Sequence, residues 1–191
     1  MSMEQRRETL IGLLDDPHPA VQRVANAALE RLDGFSGLSH LINELKSGET
    51  PRQVQAIYGL ARVPGDQVLK ILVQCLRHET PDVAAAAARV LQEQRDPRLV
   101  KPLVDILPHV PTMIQALLLE TLGQLRDRRA VVPIIQLLPA LDGEALERGI
   151  QALGRLGDPT AEQVLIGLTG HHSPRIRAAA ALALGNLPPA D

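Results

Sequence analysis

The sequence predicts an all-α fold, an α-solenoid of six two-helix units, from three observations. Leucines recur at one constant interval with no insertion or deletion between them: Leu29, Leu60, Leu91, Leu122, Leu153 and Leu184. Apolar residues lie at helical spacing on both sides of these leucines. Thr or Ser followed by Pro, as in Thr80-Pro81 and Ser173-Pro174, marks the start of a second helix within a unit. Self-similarity at a fixed period predicts units that stack on one another.

The composition agrees with such a stack. Hydrophobic residues make up 45% of the 191 residues, but aromatic residues only 1%. The core must therefore consist of Leu, Ile, Val and Ala, which suit close packing between helices. We expect one domain over residues 1–191. Its six repeats are predicted at 4–33, 35–64, 66–95, 97–126, 128–157 and 159–188.

Charge and cysteine content exclude several classes of function. The net charge is −2, and basic residues are not clustered, so we expect no nucleic-acid partner. The single cysteine, Cys75, cannot form an internal disulfide and fits a reducing compartment. No apolar run approaches the roughly 18 residues of a membrane span. These observations predict a cytoplasmic protein that binds no membrane.

Within each unit, the second helix carries small residues at two fixed positions. One of these columns includes Gly59, Ala152 and Ala183. Small side chains at such places let paired helices approach closely. The second helix usually ends in Gly, Asp or Pro, as in Leu153 to Pro159.

The runs LGRLGDPTAEQVL (153–165) and SPRIRAAAALALGNL (173–187) resemble HEAT-like repeats of the phycobilisome-lyase type. That family has a short unit with an Asp-Pro turn and an A-L-G-x-L ending to its second helix. The resemblance covers about residues 4–187 and is loosest in units two and three. It implies a right-handed α-solenoid of the armadillo/HEAT type.

No set of residues predicts catalysis, a metal site or a cofactor. His78, His109 and His171 share one column in the turns, but neighbouring units are too far apart for two imidazoles to bind one metal ion. His78-Glu79 resembles the His-Glu pairs of deoxyhypusine hydroxylase, yet the matching helical positions hold alanine and leucine. Repeat-built DNA glycosylases have a basic face with aromatic residues, which this chain lacks. Cys75 lies in an apolar column and is predicted to fill the core.

The predicted binding surface is the concave face, which the second helices line in such solenoids. A step of 100° per residue places an apolar stripe flanked by charged residues there. The candidate partner-binding residues are Ile57, Tyr58, Arg89, Leu119, Glu120, Glu147 and Ile150. For Ile57 and Ile150, packing between adjacent second helices is an equally weighted alternative. An exposed stripe of this kind suits an amphipathic helix or an extended apolar segment.

Two functions follow from these patterns. The first is a non-catalytic scaffold that binds a protein or peptide on the concave face. The second, implied by the resemblance alone, is a subunit of a lyase that handles phycobilin chromophores. The last helix, 178–187, lacks the polar outer face that a terminal unit needs. This predicts either a homodimer through the C-terminal repeat or a chain cut from a longer array of repeats.

Overall fold

A computed structural model describes residues 2–189, with the side chains at 30, 35, 36 and 47 left aside. Throughout this range the regular elements are helices, as the sequence predicts for an α-solenoid. The chain divides into two compact units, Met1–Pro64 and Gly65–Asp191, which we describe separately. None of the helices between residues 2 and 189 is long and apolar enough to cross a membrane.

Unit 2 contains four pairs of helices. In chain order they are α4 Asp66–Cys75 and α5 Pro81–Gln94, α6 Val100–Ile106 and α7 Thr112–Leu125, α8 Val131–Leu137 and α9 Gly143–Leu156, and α10 Glu162–Leu168 and α11 Pro174–Gly185. Each pair packs together, and the second helices also pack in sequence, α5 on α7, α7 on α9 and α9 on α11. The second helices thus form a continuous layer within unit 2.

Successive pairs in unit 2 are joined by turns built on an aspartate. Asp96, Asp127 and Asp158 each accept a hydrogen bond from the backbone N–H two residues later, at 2.9–3.0 Å. This bond caps a short 3-10 turn that leads into the next helix. Hydrogen bonds from the Arg98 and Arg129 side chains lower the pKa of Asp96 and Asp127, and the Thr160 hydroxyl does so for Asp158.

The residue before each of these aspartates adopts the left-handed conformation. This residue is Arg95 (φ 47°), Arg126 (φ 53°) or Gly157 (φ 60°), and it ends α5, α7 or α9, respectively.

We expect Arg126→Gly to raise the free energy of unfolding by about 0.5–1 kcal/mol. Glycine removes the cost of roughly 1–2 kcal/mol that a side chain has in the left-handed region. Part of this gain is lost because glycine makes the unfolded chain more flexible. Thermal unfolding measures this gain. Gly157→Ala at the equivalent place must lower stability, and a loss in both variants contradicts the argument.

Unit 1 consists of α1 Met3–Gly12, α2 Pro19–Ser47 and α3 Thr50–Leu60. Here the structure differs from the repeat boundary predicted at residue 34, because α2 runs through it without a break. Gly34 stands two repeats before Asp96, at the place that the capping aspartate occupies in unit 2. Position 65, one repeat later, also holds glycine, but there Pro64 precedes it and the chain leaves the helix before α4 begins. Around residue 34 no proline interrupts α2, and the helix continues. The neighbouring Asp33 instead accepts a hydrogen bond from Arg7 Nε of α1, at 3.0 Å.

The helices of unit 2 approach most closely at glycines. A Cβ atom on Gly123 would lie 2.9 Å from Ala152 Cα, and one on Gly154 would lie 2.8 Å from Ala183 Cα. Both distances are shorter than any ordinary carbon contact, so α7 meets α9, and α9 meets α11, backbone to backbone. The column of small residues predicted from the sequence is therefore one half of this contact.

Candidate interaction surface

The apolar half of the predicted binding surface lies in the core. Ile57, Leu119 and Ile150 are wholly buried, with 0% exposure, so the prediction that they line an open groove is wrong. The reason is the packing between neighbouring helices. In unit 2 the second helices lie directly on one another, and this column falls in the seam between them. For Ile150 the alternative, packing between adjacent second helices, is the arrangement found. Ile57 is buried within unit 1.

The next residue along each second helix is the one that faces outward. Tyr58 is 42% exposed on α3 of unit 1. In unit 2 the same repeat position holds Arg89 on α5, Glu120 on α7, Gln151 on α9 and Leu182 on α11. Arg89 and Leu182 are exposed, and Glu120 and Gln151 are half-buried. We call the outward positions of α5, α7 and α9, with the charged residues beside them, the second-helix surface of unit 2.

Ion pairs connect adjacent helices across this surface. Arg148 Nη1 on α9 lies 3.4 Å from Glu120 Oε2 on α7, and its Nη2 lies 3.3 Å from Glu144 Oε1. Further on, Arg175 Nε on α11 lies 2.5 Å from Glu147 Oε2 on α9. The surface is thus charged and mixed in sign rather than apolar.

Gln151 lies between the two ion pairs and links them. Its side-chain Nε2 donates a hydrogen bond to Glu147 Oε1 at 3.2 Å, and its Oε1 accepts one from Arg148 Nη1 at 3.5 Å. A connected polar network therefore runs over α7, α9 and α11. Such a network holds its members in defined rotamers, which reduces the entropy lost when a ligand binds.

The sequence prediction included Glu120 and Glu147 but missed their partners Arg148 and Arg175. A signal was present in the sequence. Each glutamate precedes its arginine by the same interval, which is slightly shorter than one repeat. Because the arginine stands about one helical turn before the repeat-equivalent of its glutamate, this spacing lets the two side chains meet across adjacent second helices. The regular recurrence of one acidic and one basic residue at this interval could have identified the network.

Histidines in the turns are hydrogen-bond acceptors for the backbone. His78 Nδ1 accepts from the Thr80 N–H, and His171 Nδ1 accepts from the Ser173 N–H, both at 3.1 Å. The Thr80 and Ser173 hydroxyls, which the sequence suggested as helix caps, do not form the capping bond. Because each imidazole accepts a hydrogen bond from the backbone N–H of the N-cap residue, these histidines stabilise the turn before the second helix. Across residues 2–189, no three His, Cys, Asp or Glu side chains are grouped closely enough to hold a metal ion.

Comparison with known families supports the same architecture. The sequence profile described as HEAT repeats matches residues 38–123 and 131–191, which is most of the chain. The chain is a HEAT-repeat protein. No curated protein matches this HEAT-repeat chain.

Two solved structures that share this fold are engineered or designed proteins. One is a crystal structure of an engineered protein from the Northeast Structural Genomics Consortium, with 20% identity and a TM-score of 0.53, covering 94% of this chain and 95% of that one. Another is a designed armadillo repeat protein in complex with the peptide (KR)4, with 15% identity and a TM-score of 0.51, covering 98% of this chain and all of that one. At these identities the likeness shows the fold.

Cys75 at the end of α4 is a poor nucleophile in this HEAT-repeat protein. Burial raises the pKa of its thiol from 9.0 to about 11. Because the thiolate fraction falls tenfold for each pKa unit, we expect alkylation at neutral pH to be about 100-fold slower than for an unperturbed thiol. Iodoacetamide labelling followed by mass spectrometry measures the rate. Labelling in urea is the control and should restore the normal rate; equal rates in folded and unfolded protein contradict the burial of Cys75.

Proposed function

We propose that the protein is a non-catalytic scaffold that binds a protein or peptide segment across the second-helix surface of unit 2. The observation that carries this proposal is the polar network over α7, α9 and α11, which joins side chains of consecutive repeats at one exposed face. In unit 1, Tyr58 is a separate candidate contact, since tyrosine is enriched among the residues that dominate binding.

The spacing of the helices favours an extended ligand. Packed helices lie about 8–10 Å apart, and an extended chain advances about 3.3 Å per residue. Two to three ligand residues therefore cross each helix layer, and a peptide that runs across the helices meets Arg89, Glu120 and Gln151 in turn. Repeating polar positions can then bind both backbone and side-chain groups of the ligand.

The charges indicate the chemistry of the ligand. Glu144 and Arg175 are the exposed ends of the network, with side chains 62% and 73% accessible. Carboxylate and guanidinium groups thus alternate along the face, and a polar segment of mixed charge matches them better than the apolar helix expected from the sequence alone. Raising the salt concentration should weaken such binding, since exposed charges are screened.

Affinity selection tests this function. Peptides selected from a displayed library on the purified protein are measured by fluorescence anisotropy against three variants: Arg89→Ala, Gln151→Ala and Tyr58→Ala. We expect Arg89→Ala and Gln151→Ala each to weaken a selected peptide by about tenfold or more, because the ligand crosses both positions. All three side chains are outside the core, so the fold should persist by circular dichroism.

Lys101→Ala on the first helix α6 is the matched control. Its side chain is 79% exposed and its partner Asp105 lies on the same helix, so the change removes a charge away from the second-helix surface. Two outcomes argue against this surface. Either Lys101→Ala weakens peptide binding as much as Arg89→Ala does, or none of the variants weakens it.

The more specific assignment to the phycobilisome-lyase type, with an activity on phycobilins, stays a prediction of the sequence motifs. Absorbance spectra of a phycobilin mixed with the purified protein test it, and an unchanged spectrum removes it. Cytoplasmic location likewise stays a prediction, which fractionation of the source cell tests.

A further inference from the structure

Two apolar side chains are unusually exposed, and they belong to different units. Val24 on α2 is 70% exposed, and Leu182 on α11 is 66% exposed. No other large apolar side chain whose burial is described between residues 2 and 189 is as accessible. Removing either side chain from water gains about 25 cal/mol per Å² of apolar surface, so both positions favour a contact.

The contacts inside unit 2 show what such positions meet. Where α7 packs on α9, Gly123 lies against Ala152, and Glu120 three residues earlier pairs with Arg148. A Cβ on Gly123 would also lie 3.4 Å from Arg155 Cδ. One second helix thus contributes a glycine and a side chain three residues before it. The next second helix contributes an alanine, an arginine and the residue that faces that side chain.

Counting in whole repeats places the same pattern on the free faces of α11 and α2. Gly185 of α11 is equivalent to Gly123, and Leu182 is equivalent to Glu120. On α2, Ala28 is equivalent to Ala152, while Val24 takes the place of Arg148. Repeat geometry thus matches Leu182 with Val24, and the ion pair of the α7–α9 contact is replaced by an apolar pair.

Both halves of this contact are open in the structure. The space where a Cβ of Gly185 would lie has no atom within 4 Å, whereas Gly123 and Gly154 are each covered by the next helix. Beside α2 lies an open groove of about 610 Å³. Its lining includes the α2 equivalents of Arg148, Ala152 and Arg155 of the α7–α9 contact, which are Val24, Ala28 and Arg31.

We propose that the protein associates head to tail, with α11 of one copy packed on α2 of a second copy. Gly185 then lies over Ala28, and Leu182 packs against Val24. The two faces are complementary to each other rather than to themselves, so the contact is heterologous and adds copies without an inherent limit unless the assembly closes into a ring. This association uses Leu182 and Gly185 of α11 and the open side of α2, and not the Arg89 and Gln151 positions tested for peptide binding. It extends the homodimer predicted from the last helix to a different geometry.

A second copy is the occupant that these faces favour. A charged pair is replaced by apolar residues on both sides at once, at equivalent places, which is the complementarity expected when the two surfaces meet each other. If Leu182 bound an unrelated protein, the exposed apolar side chain of Val24 on α2 would have no explanation. Moreover, Arg31 on α2 is equivalent to Arg155, whose side chain contacts the glycine of the preceding helix in the internal interface.

Sedimentation velocity over a concentration series up to about 1 mM, a range that detects weak association, tests the proposal. We expect the weight-average mass of the purified full chain to rise with concentration. Leu182→Asp and Val24→Asp should each weaken the association by at least about tenfold, because each buries a charge against an apolar partner. Both side chains are exposed in the single copy, so the variants should fold.

Mixing the two variants distinguishes the geometry. Leu182→Asp keeps an intact α2 face, and Val24→Asp keeps an intact α11 face, so an equal mixture should form a dimer of one of each and grow no further. The double variant with Leu182→Glu and Val24→Arg should associate again, since it recreates the charges of Glu120 and Arg148. Val132→Asp, on the exposed side of α8, is the control and should behave as the unchanged protein.

Two results would overturn the proposal. One is a strict monomer throughout the concentration series. The other is a dimer that Leu182→Asp abolishes and Val24→Asp leaves intact, which is the behaviour of α11 packed on a second α11. Peptide binding by Arg89 and Gln151 variants is measured separately, so either proposal can fail without the other.

Discussion

Leu119→Ala lowers the free energy of unfolding by about 2–5 kcal/mol, the range for removing a fully buried leucine. Leu119 on α7 has no exposed surface, and its Cδ1 lies 3.8 Å from where a Cβ of Gly149 on α9 would stand. The truncation leaves a cavity in the seam between two second helices. Because the helix backbones already touch nearby, they cannot move together to fill it, and we expect the upper part of the range.

Chemical denaturation followed by circular dichroism measures this loss. Gln151→Ala is the control, since it removes a half-buried polar side chain that lies on the outside of the same helix layer, and we expect a loss of about 1 kcal/mol or less. A Leu119→Ala variant as stable as Gln151→Ala contradicts the burial of the column that contains Ile57, Leu119 and Ile150. If Leu119 is a core residue, substitutions there change stability and cannot be used to test partner binding.

Gly154→Ala lowers the free energy of unfolding by up to about 2 kcal/mol, which is the usual cost of overpacking, about 1–3 kcal/mol, less the gain from alanine inside a helix. The added Cβ would lie 2.8 Å from Ala183 Cα and 2.9 Å from Ala183 Cβ, so α9 and α11 must separate. This cost exceeds the roughly 0.5–1 kcal/mol that alanine gains over glycine inside a helix. The net loss is therefore the direct measure of how closely the two helices approach.

Gly185→Ala provides the matched control because Gly185 occupies the same repeat position on α11. No atom lies within 4 Å of its Cβ place, so the substitution meets no neighbour and should leave stability unchanged or slightly raised. Thermal and urea unfolding of the two variants should move in opposite directions or differ by more than about 1 kcal/mol. Equal effects at Gly154 and Gly185 contradict the close contact. At high protein concentration, Gly185→Ala should in addition weaken the head-to-tail association.

The helical class, the pairing of helices and the small-residue contacts were predictable from the sequence because they depend on local rules. Apolar spacing, proline at helix starts and small residues that recur once per repeat each constrain the backbone or its nearest neighbour directly. The continuous helix α2 was less accessible. The capping aspartate of Asp96 and Asp127 is missing at both Gly34 and Gly65, yet the chain breaks only at Gly65, which follows Pro64, so the missing aspartate alone does not predict a continuous helix.

The exposure of the candidate binding residues was predicted in part. The column of Tyr58, Arg89 and Glu120 faces outward, but the adjacent column of Ile57 and Leu119 is buried. Adjacent residues differ by about 100° around a helix, so a small error in phase exchanges surface and seam. Hydrophobicity alone could not set that phase, because an apolar column fits either a groove or a helix–helix contact.

By itself, the sequence determined a HEAT-type stack of helical repeats and a core of Leu, Ile, Val and Ala. Only the tertiary structure decided which side of the second helices is exposed, which charges pair across repeats and which faces stay uncovered. The physical reason is that these features depend on how neighbouring helices approach. Gly123 and Gly154 bring the helices into backbone contact, and this closeness puts leucine and isoleucine in the seam and leaves the charged network outside.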